Sequence, residues 1–163
     1  MPETKCGFDD APGGVKGCDA LVLRGPTLVV QIGFDPLYRA AVPVRPNLPF
    51  SFYDALVDTG AQESCIDSGL AIQLNLPIIN RQRIAGVSGA REVNMHLAQI
   101  HVPLLAFTIY GAFAAVDLIA GGQAHYALIG RSFLKALRMV YEGDTGTVIL
   151  STPSVTGAQL AQV

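Results

Sequence analysis

The hexapeptide Leu56-Val57-Asp58-Thr59-Gly60-Ala61 constrains this chain more than any other stretch, because it sets one acid between an apolar run and a Thr-Gly-Ala turn. A carboxylate entered from a buried strand and left through a tight turn is held rigidly at the floor of a cleft. Gly60 lets the turn pass close to a bound backbone, and Thr59 can spend its hydroxyl on a main-chain group. The small Ala61 leaves the floor open. The same triplet recurs at Asp144-Thr145-Gly146, but there it follows Tyr141-Glu142-Gly143 and leads into Thr147-Val148-Ile149-Leu150. Flanked by strands and charged on its approach, the second copy reads as a hairpin turn.

An amide can be hydrolysed without a covalent intermediate when an ionised carboxyl deprotonates water and a protonated partner donates to the carbonyl oxygen. Two such groups a few ångströms apart cannot both ionise, so they share a proton and titrate as a coupled pair. The chain has 163 residues, one domain by the usual range of about 100–200, and no second apolar-D-T-G-A run. The partner carboxyl is therefore expected from a second copy in a C2 homodimer.

Two further segments accompany Asp58. Ala127-Leu128-Ile129-Gly130-Arg131-Ser132-Phe133-Leu134 is an apolar strand that ends at glycine and opens a short helix. Arg83-Ile84-Ala85-Gly86-Val87-Ser88-Gly89-Ala90-Arg91 is a hairpin tip bracketed by glycines, suited to folding over a ligand and opening again. The three motifs, in this order and at this spacing, resemble the retropepsin-like aspartic peptidases over roughly Leu21 to Ser151.

The resemblance implies a mostly β, single-lobed acid protease fold: a closed, barrel-like lobe with a flap hairpin and one or two short helices, working as a homodimer. It implies that Asp58 is the catalytic residue and that the Thr59 hydroxyl bonds across to the partner subunit. Gly60, Ala61 and Gln62 then bind an extended substrate beneath a flap of Gly86, Val87, Ser88, Gly89 and Ala90, and Gly130-Arg131 supports the active-site loop from below. Many retroviral members carry an Asp where Gln62 stands, ion-paired with the Arg of the Gly-Arg motif. D-T-G-A-Q is instead similar to the D-[ST]-G-A-Q of ubiquitin-linked eukaryotic members. Arg131 must here find Gln62, Glu63 or main-chain carbonyls. A non-catalytic module that binds peptides or dimerises is the competing reading, and an acid retained in a costly position argues against it.

Composition agrees. Half of the residues are hydrophobic and 15% charged, with a mean hydropathy of +0.40, so some apolar surface is expected to face a partner. A net charge of −2 supplies no basic field for nucleic acid. Arg81, Arg83 and Arg91 read first as solvated hairpin edges. The uncharged run from Val102 to Val116 is 15 residues, below the roughly 18–20 that a membrane helix needs, and its Pro, Gly and β-branched content fits buried strands. Met1-Pro2-Glu3-Thr4-Lys5 leads into no apolar leader core. Cys6, Cys18 and Cys65 form no C-x-x-C pair, which points to a reducing cytoplasm, although the chain also fits the soluble domain of a larger or anchored parent. Cys65 is expected in the core, with an oxidisable regulatory thiol as the sharper alternative. His96, His101 and His125 show no ligand spacing, and neither a metal nor a cofactor is expected.

Along the chain, residues 1–19 read as a flexible arm, 20–151 as the protease domain and 152–163 as a flexible tail. Expected strands run from Thr27 to Phe34, Phe50 to Val57, Ser64 to Ile66, Val93 to Val102 and Leu104 to Ile119, the last two doubling back near Gly111. A Pro-rich surface connection, 35–49, joins the first two. A helix is expected from Ser68 to Leu74, capped by Asp67 or Ser68, and a final hairpin from Met139 to Leu150.

Overall fold

The computed structural model describes residues 1–40, 44–153 and, as backbone, 159–162. It is mostly β, with strands β1 (Glu3–Lys5), β2 (Thr27–Gly33), β3 (Tyr53–Val57), β4 (Cys65–Asp67), β5 (Ile78–Gly86), β6 (Gly89–Val102), β7 (Phe107–Val116), β8 (Ala127–Ile129), β9 (Arg138–Glu142), β10 (Thr147–Ser151) and β11 (Gln159–Gln162). Short helices α1 (Gly17–Arg24), α2 (Ser68–Gln73) and α3 (Arg131–Leu134) connect them.

The larger sheet runs β11-β7-β4-β8-β3-β2-β6-β5, and β6 also pairs with β7. That extra pairing closes six strands, β7-β4-β8-β3-β2-β6, into a ring, so the barrel-like lobe has few open edges. Its interior is apolar: Leu28, Val30, Ile32, Ala55, Val57, Ile100, Ala127 and Ile129 are all buried. β2 shows why. Leu28, Val30 and Ile32 alternate inward, and period-2 alternation over a half-covered sheet is the pattern that fixes strand register. Gln31 is buried as well, where Arg45 donates to its Oε1 at 2.6 Å and its Nε2 donates to the Pro49 carbonyl at 3.4 Å. Phe133, on α3, inserts against Phe107 with ring centroids 4.9 Å apart, and both rings are fully buried. An aromatic anchor of this kind is worth about 3–5 kcal/mol against truncation to Ala. It therefore fixes where α3, and the Gly130-Arg131 step before it, must sit.

Within residues 1–19, β1 pairs with β10, the Cys6 amide donates to the Val148 carbonyl at 2.9 Å, and α1 begins at Gly17. Two expectations about strand bounds need correction. Strand β3 begins at Tyr53 rather than Phe50, because the chain is still turning at Ser51, whose amide donates to the Pro49 carbonyl at 2.8 Å. β6 and β7 reverse at Pro103–Leu105 rather than at Gly111, with Ala106 taking the left-handed turn position (φ 48°). Gly111 instead lies inside β7 opposite Ala98. In the tail, β11 lies parallel to β7, while 154–158 and 163 fall outside the described residues. No helix among the described residues is long and apolar enough to cross a membrane.

Candidate active site

Asp58 leaves β3 between two neighbouring strands. β3 pairs in parallel with β8, and the pairing continues one residue further as the Asp58 amide donates to the Ile129 carbonyl at 3.0 Å. On the other side the Val57 amide donates to the Pro26 carbonyl at 2.8 Å. The turn then closes on itself. The Gly60 amide donates to Asp58 Oδ1 at 2.8 Å and the Ala61 amide to the Asp58 carbonyl at 3.2 Å. Backbone on three sides thus sets the direction of the carboxylate, as a Thr-Gly-Ala turn after a buried strand should.

The segment around Gly130 holds this loop from beneath. The Arg131 amide donates to the Ala61 carbonyl at 3.0 Å, the Ser132 amide to the Gln62 carbonyl at 2.9 Å, and the Gly130 amide to Ser64 Oγ at 3.0 Å. Arg131 Nη1 donates to the Thr59 carbonyl at 2.7 Å. Of the partners open to it on sequence grounds, Arg131 therefore takes a main-chain carbonyl. Packing here leaves no room for a side chain at position 130, where a Cβ would lie 2.6 Å from both the carbonyl carbon and oxygen of Glu63. Ser64, buried against the Gly130 amide, is a support the sequence reading missed; a serine after Gln-Glu carries no signal that separates it from an ordinary loop residue.

The structure brings Asp58, Thr59, Gly60, Ala61, Gln62 and Arg131 into one unit. In the single chain that unit is an open platform. Asp58 is half-buried, while Thr59, Gly60, Gln62 and Arg131 are exposed. Asp144 is not part of it: it sits exposed in the β9–β10 hairpin turn of the separate three-stranded sheet, where Gly146 takes φ 79°. Two acids in identical triplets thus occupy different sheets.

Gly86 and Gly89 face each other across a two-residue turn, Val87-Ser88, at the end of the β5–β6 hairpin. Gly89 has φ 108°, a region that L side chains avoid, and Val87 stands fully exposed at the tip. With the loop after β7, the hairpin walls a cavity of about 490 Å³ lined by Ile84, Gly86, Ser88, Val116 and Ala120 among others. Asp58 is not among those walls. The base of that loop is fixed by Asp67, which caps α2 by accepting from the Leu70 amide at 3.0 Å and accepts from the Leu118 and Ile119 amides with its other oxygen. Asp117 holds its carboxyl below the usual carboxylate range, first through the Ser68 hydroxyl and then through Arg91.

Burial also sets the chemistry of two further groups, Cys65 and His125. Cys65 packs against Val93, Met95 and Ala114, and its thiol is pushed up to about 12 by burial, with the charges of Asp58 and Asp67 adding to the effect. That disfavours the thiolate an oxidisable regulatory site would need. Thr27 Oγ1 donates to the Gly25 carbonyl at 3.0 Å, so it accepts from His125 Nε2 at 2.9 Å, which places the ring proton on Nε2. Burial pulls His125 below the usual imidazole range, the nearby Asp54 opposing and Arg24 adding.

A search of curated proteins finds no match to the chain. A family model described as retroviral aspartyl protease matches residues 26–141, a span that contains the Asp58 turn, the glycine hairpin and the Gly130-Arg131 support. With these parts assembled on one closed β lobe, the chain belongs to the retroviral aspartyl protease family.

Proposed function

We propose that the chain is an aspartic endopeptidase whose reaction centre forms when two copies bring their Asp58 turns together on a two-fold axis. The observation that carries this reading is the fixed carboxylate on an open platform: Asp58 is oriented by the Gly60 amide at 2.8 Å, yet its surroundings are only half enclosed by its own chain. One such turn in a family that hydrolyses peptides calls for a second. Exposed Val22, Leu23, Val29, Phe50 and Phe52 supply apolar surface of the sort a partner covers.

In this reading one carboxyl, ionised, takes a proton from a bound water as the oxygen attacks the scissile carbonyl carbon. The other, protonated, gives its proton to the carbonyl oxygen. Collapse of the tetrahedral diol breaks the C–N bond while a carboxyl protonates the leaving amine. The peptide lies extended, its main chain bonded to Gly60, Ala61 and Gln62 and to the hairpin tip Gly86, Val87, Ser88 and Gly89, in the manner of an added β-strand. Thr59 reaches across the dimer axis, and Arg131 supports the loop. Because one carboxyl must keep its proton, turnover peaks on the acidic side of neutrality. Three unpaired thiols favour a reducing compartment such as the cytoplasm.

The test is Asp58→Asn, assayed with a peptide library at several pH values beside sedimentation of the same sample. Cleavage should vanish while the dimer persists. Turnover equal to that of the parent chain removes the mechanism, and a parent chain that is monomeric under cleaving conditions removes the shared site.

A further inference from the structure

Beneath the β5–β6 hairpin lie two cavities. One, of about 490 Å³, is walled by the tip and the loop after β7, and the other, of about 320 Å³, by Ser68, Arg81, Glu92 and His96 among others. Arg91 and Asp117 are the residues that line both. They are also paired with each other, Arg91 Nη1 to Asp117 Oδ2 at 3.2 Å. The ion pair thus borders both spaces.

Its two ends are anchored differently. Asp117 belongs to the body: Ser68, at the start of α2, donates to its Oδ1 at 2.5 Å, and the next two amides are bound by Asp67. Arg91 belongs to the hairpin, opposite Ile84 and only two cross-strand pairs from the Gly86–Gly89 turn. Both side chains are about half exposed, 52% and 53%. A pair so placed is screened by water and biases an equilibrium by at most about fivefold. That is weak for a structural brace and suitable for a contact that must break and reform.

We propose that the Arg91–Asp117 pair is a removable partition that holds the hairpin down and sets the length of the substrate groove. Paired, it keeps the two cavities separate. Opened, it joins them into one groove along the hairpin, long enough to take successive side chains of an extended peptide. Arg91 and Asp117 are positioning residues in this scheme, and they touch no reacting atom. The role as a groove rests on the peptidase reading; the tether itself does not.

Hydrogen exchange of the full chain, without substrate, tests the tether. In Arg91→Gln and in Asp117→Asn the amides of residues 84–90 should exchange about two- to fivefold faster, with β2 and β3 unchanged. The double variant should match either single one, and Arg91→Lys should restore slow exchange. In 1 M salt, where screening acts within about 3 Å, the parent chain should approach the variants. Unchanged exchange in the single variants, or additive effects in the double, overturns the proposal. Peptide kinetics then test the groove: the variants should change KM for long peptides more than for short ones at similar kcat, and equal changes for both overturn it. A parent chain that cleaves nothing would instead sink the peptidase reading, and the exchange result would stand on its own.

Discussion

Arg131 donates through Nη1 to the carbonyl oxygen of Thr59 at 2.7 Å, across 72 positions of sequence. The bond ties the residue after the Asp58 carboxylate to the first residue of α3, whose place is set by the buried Phe133. Core packing is thereby transmitted to the platform through this guanidinium as well as through the amides of Gly130, Arg131 and Ser132, with no carboxylate partner at position 62.

Replacing Arg131 should loosen the turn without unfolding the lobe. A hydrogen bond from a charged donor contributes about 1.5–3 kcal/mol when sheltered, and Arg131 is exposed, so about 1 kcal/mol is the expected scale. Arg131→Ala should lower kcat/KM about fivefold with a thermal midpoint within a few degrees of the parent, read by steady-state kinetics and calorimetry. Activity that stays level would show that the Thr59 carbonyl needs no such donor.

Gly130 is required for space rather than for its dihedral angles, since its φ of −86° is ordinary. An added Cβ would meet main-chain atoms of Glu63 at 2.6 Å and of Gln62 at 3.0 Å, and backbone cannot swing aside as a long side chain can. Overpacking of this kind costs about 1–3 kcal/mol, so Gly130→Ala should lower the melting midpoint by roughly 2–12 °C, at about 2–4 °C per kcal/mol for a chain of this size. Peptide turnover should fall with it. A variant that melts with the parent would mean that the 62–64 loop yields freely.

Acid stability follows from the histidines. Burial pulls His101 down to about 4, with Arg45 adding, while its Nδ1 lies 2.9 Å from Thr108 Oγ1. The unfolded chain binds a proton near pH 6.5 and the folded one does not until about pH 4, so the contribution of this group is fully present above pH 6.5 and is lost as pH falls toward 4. His125 is lowered in the same direction. The slope is about 1.4 kcal/mol per pH unit for each proton taken up on unfolding. Urea melts between pH 7 and 4 should show stability declining, and His101→Gln should flatten the profile by about one proton's worth. An identical slope in that variant would exclude His101 as the source. Under the proposed peptidase reading, the working range on the acid side is bounded by the protein's own core.

What could be read from sequence was what local chemistry dictates. Val57 had to be buried and Asp58 had to emerge beyond it, because an apolar strand end followed by Asp-Thr-Gly leaves the acid at the turn. Gly86 and Gly89 marked a tip, and Tyr141 to Thr147 marked a hairpin, by turn chemistry alone. What escaped depended on distant partners. β1 is three residues with no periodicity of its own, and it exists because β10 offers an edge. The β6–β7 reversal uses Ala106 at φ 48°, where a reader expects glycine, so Gly111 drew the turn to the wrong place. Asp117 looked like the end of an apolar run, and only the fold set it beside Arg91 and Ser68.

The seating of the first strand carries one last consequence. Gly7 lies so near the backbone of Gly146 and Val148 that a Cβ there would fall 2.1 Å from the Gly146 carbonyl oxygen, and Thr152 donates to the carbonyl of Pro2. An enzyme that clipped its own amino end would strip the edge strand from its smaller sheet: the β10 edge would lie bare beside Leu150, an invitation to clumping. Self-maturation within the first seven residues would therefore read out as lost solubility before it read out as gained activity.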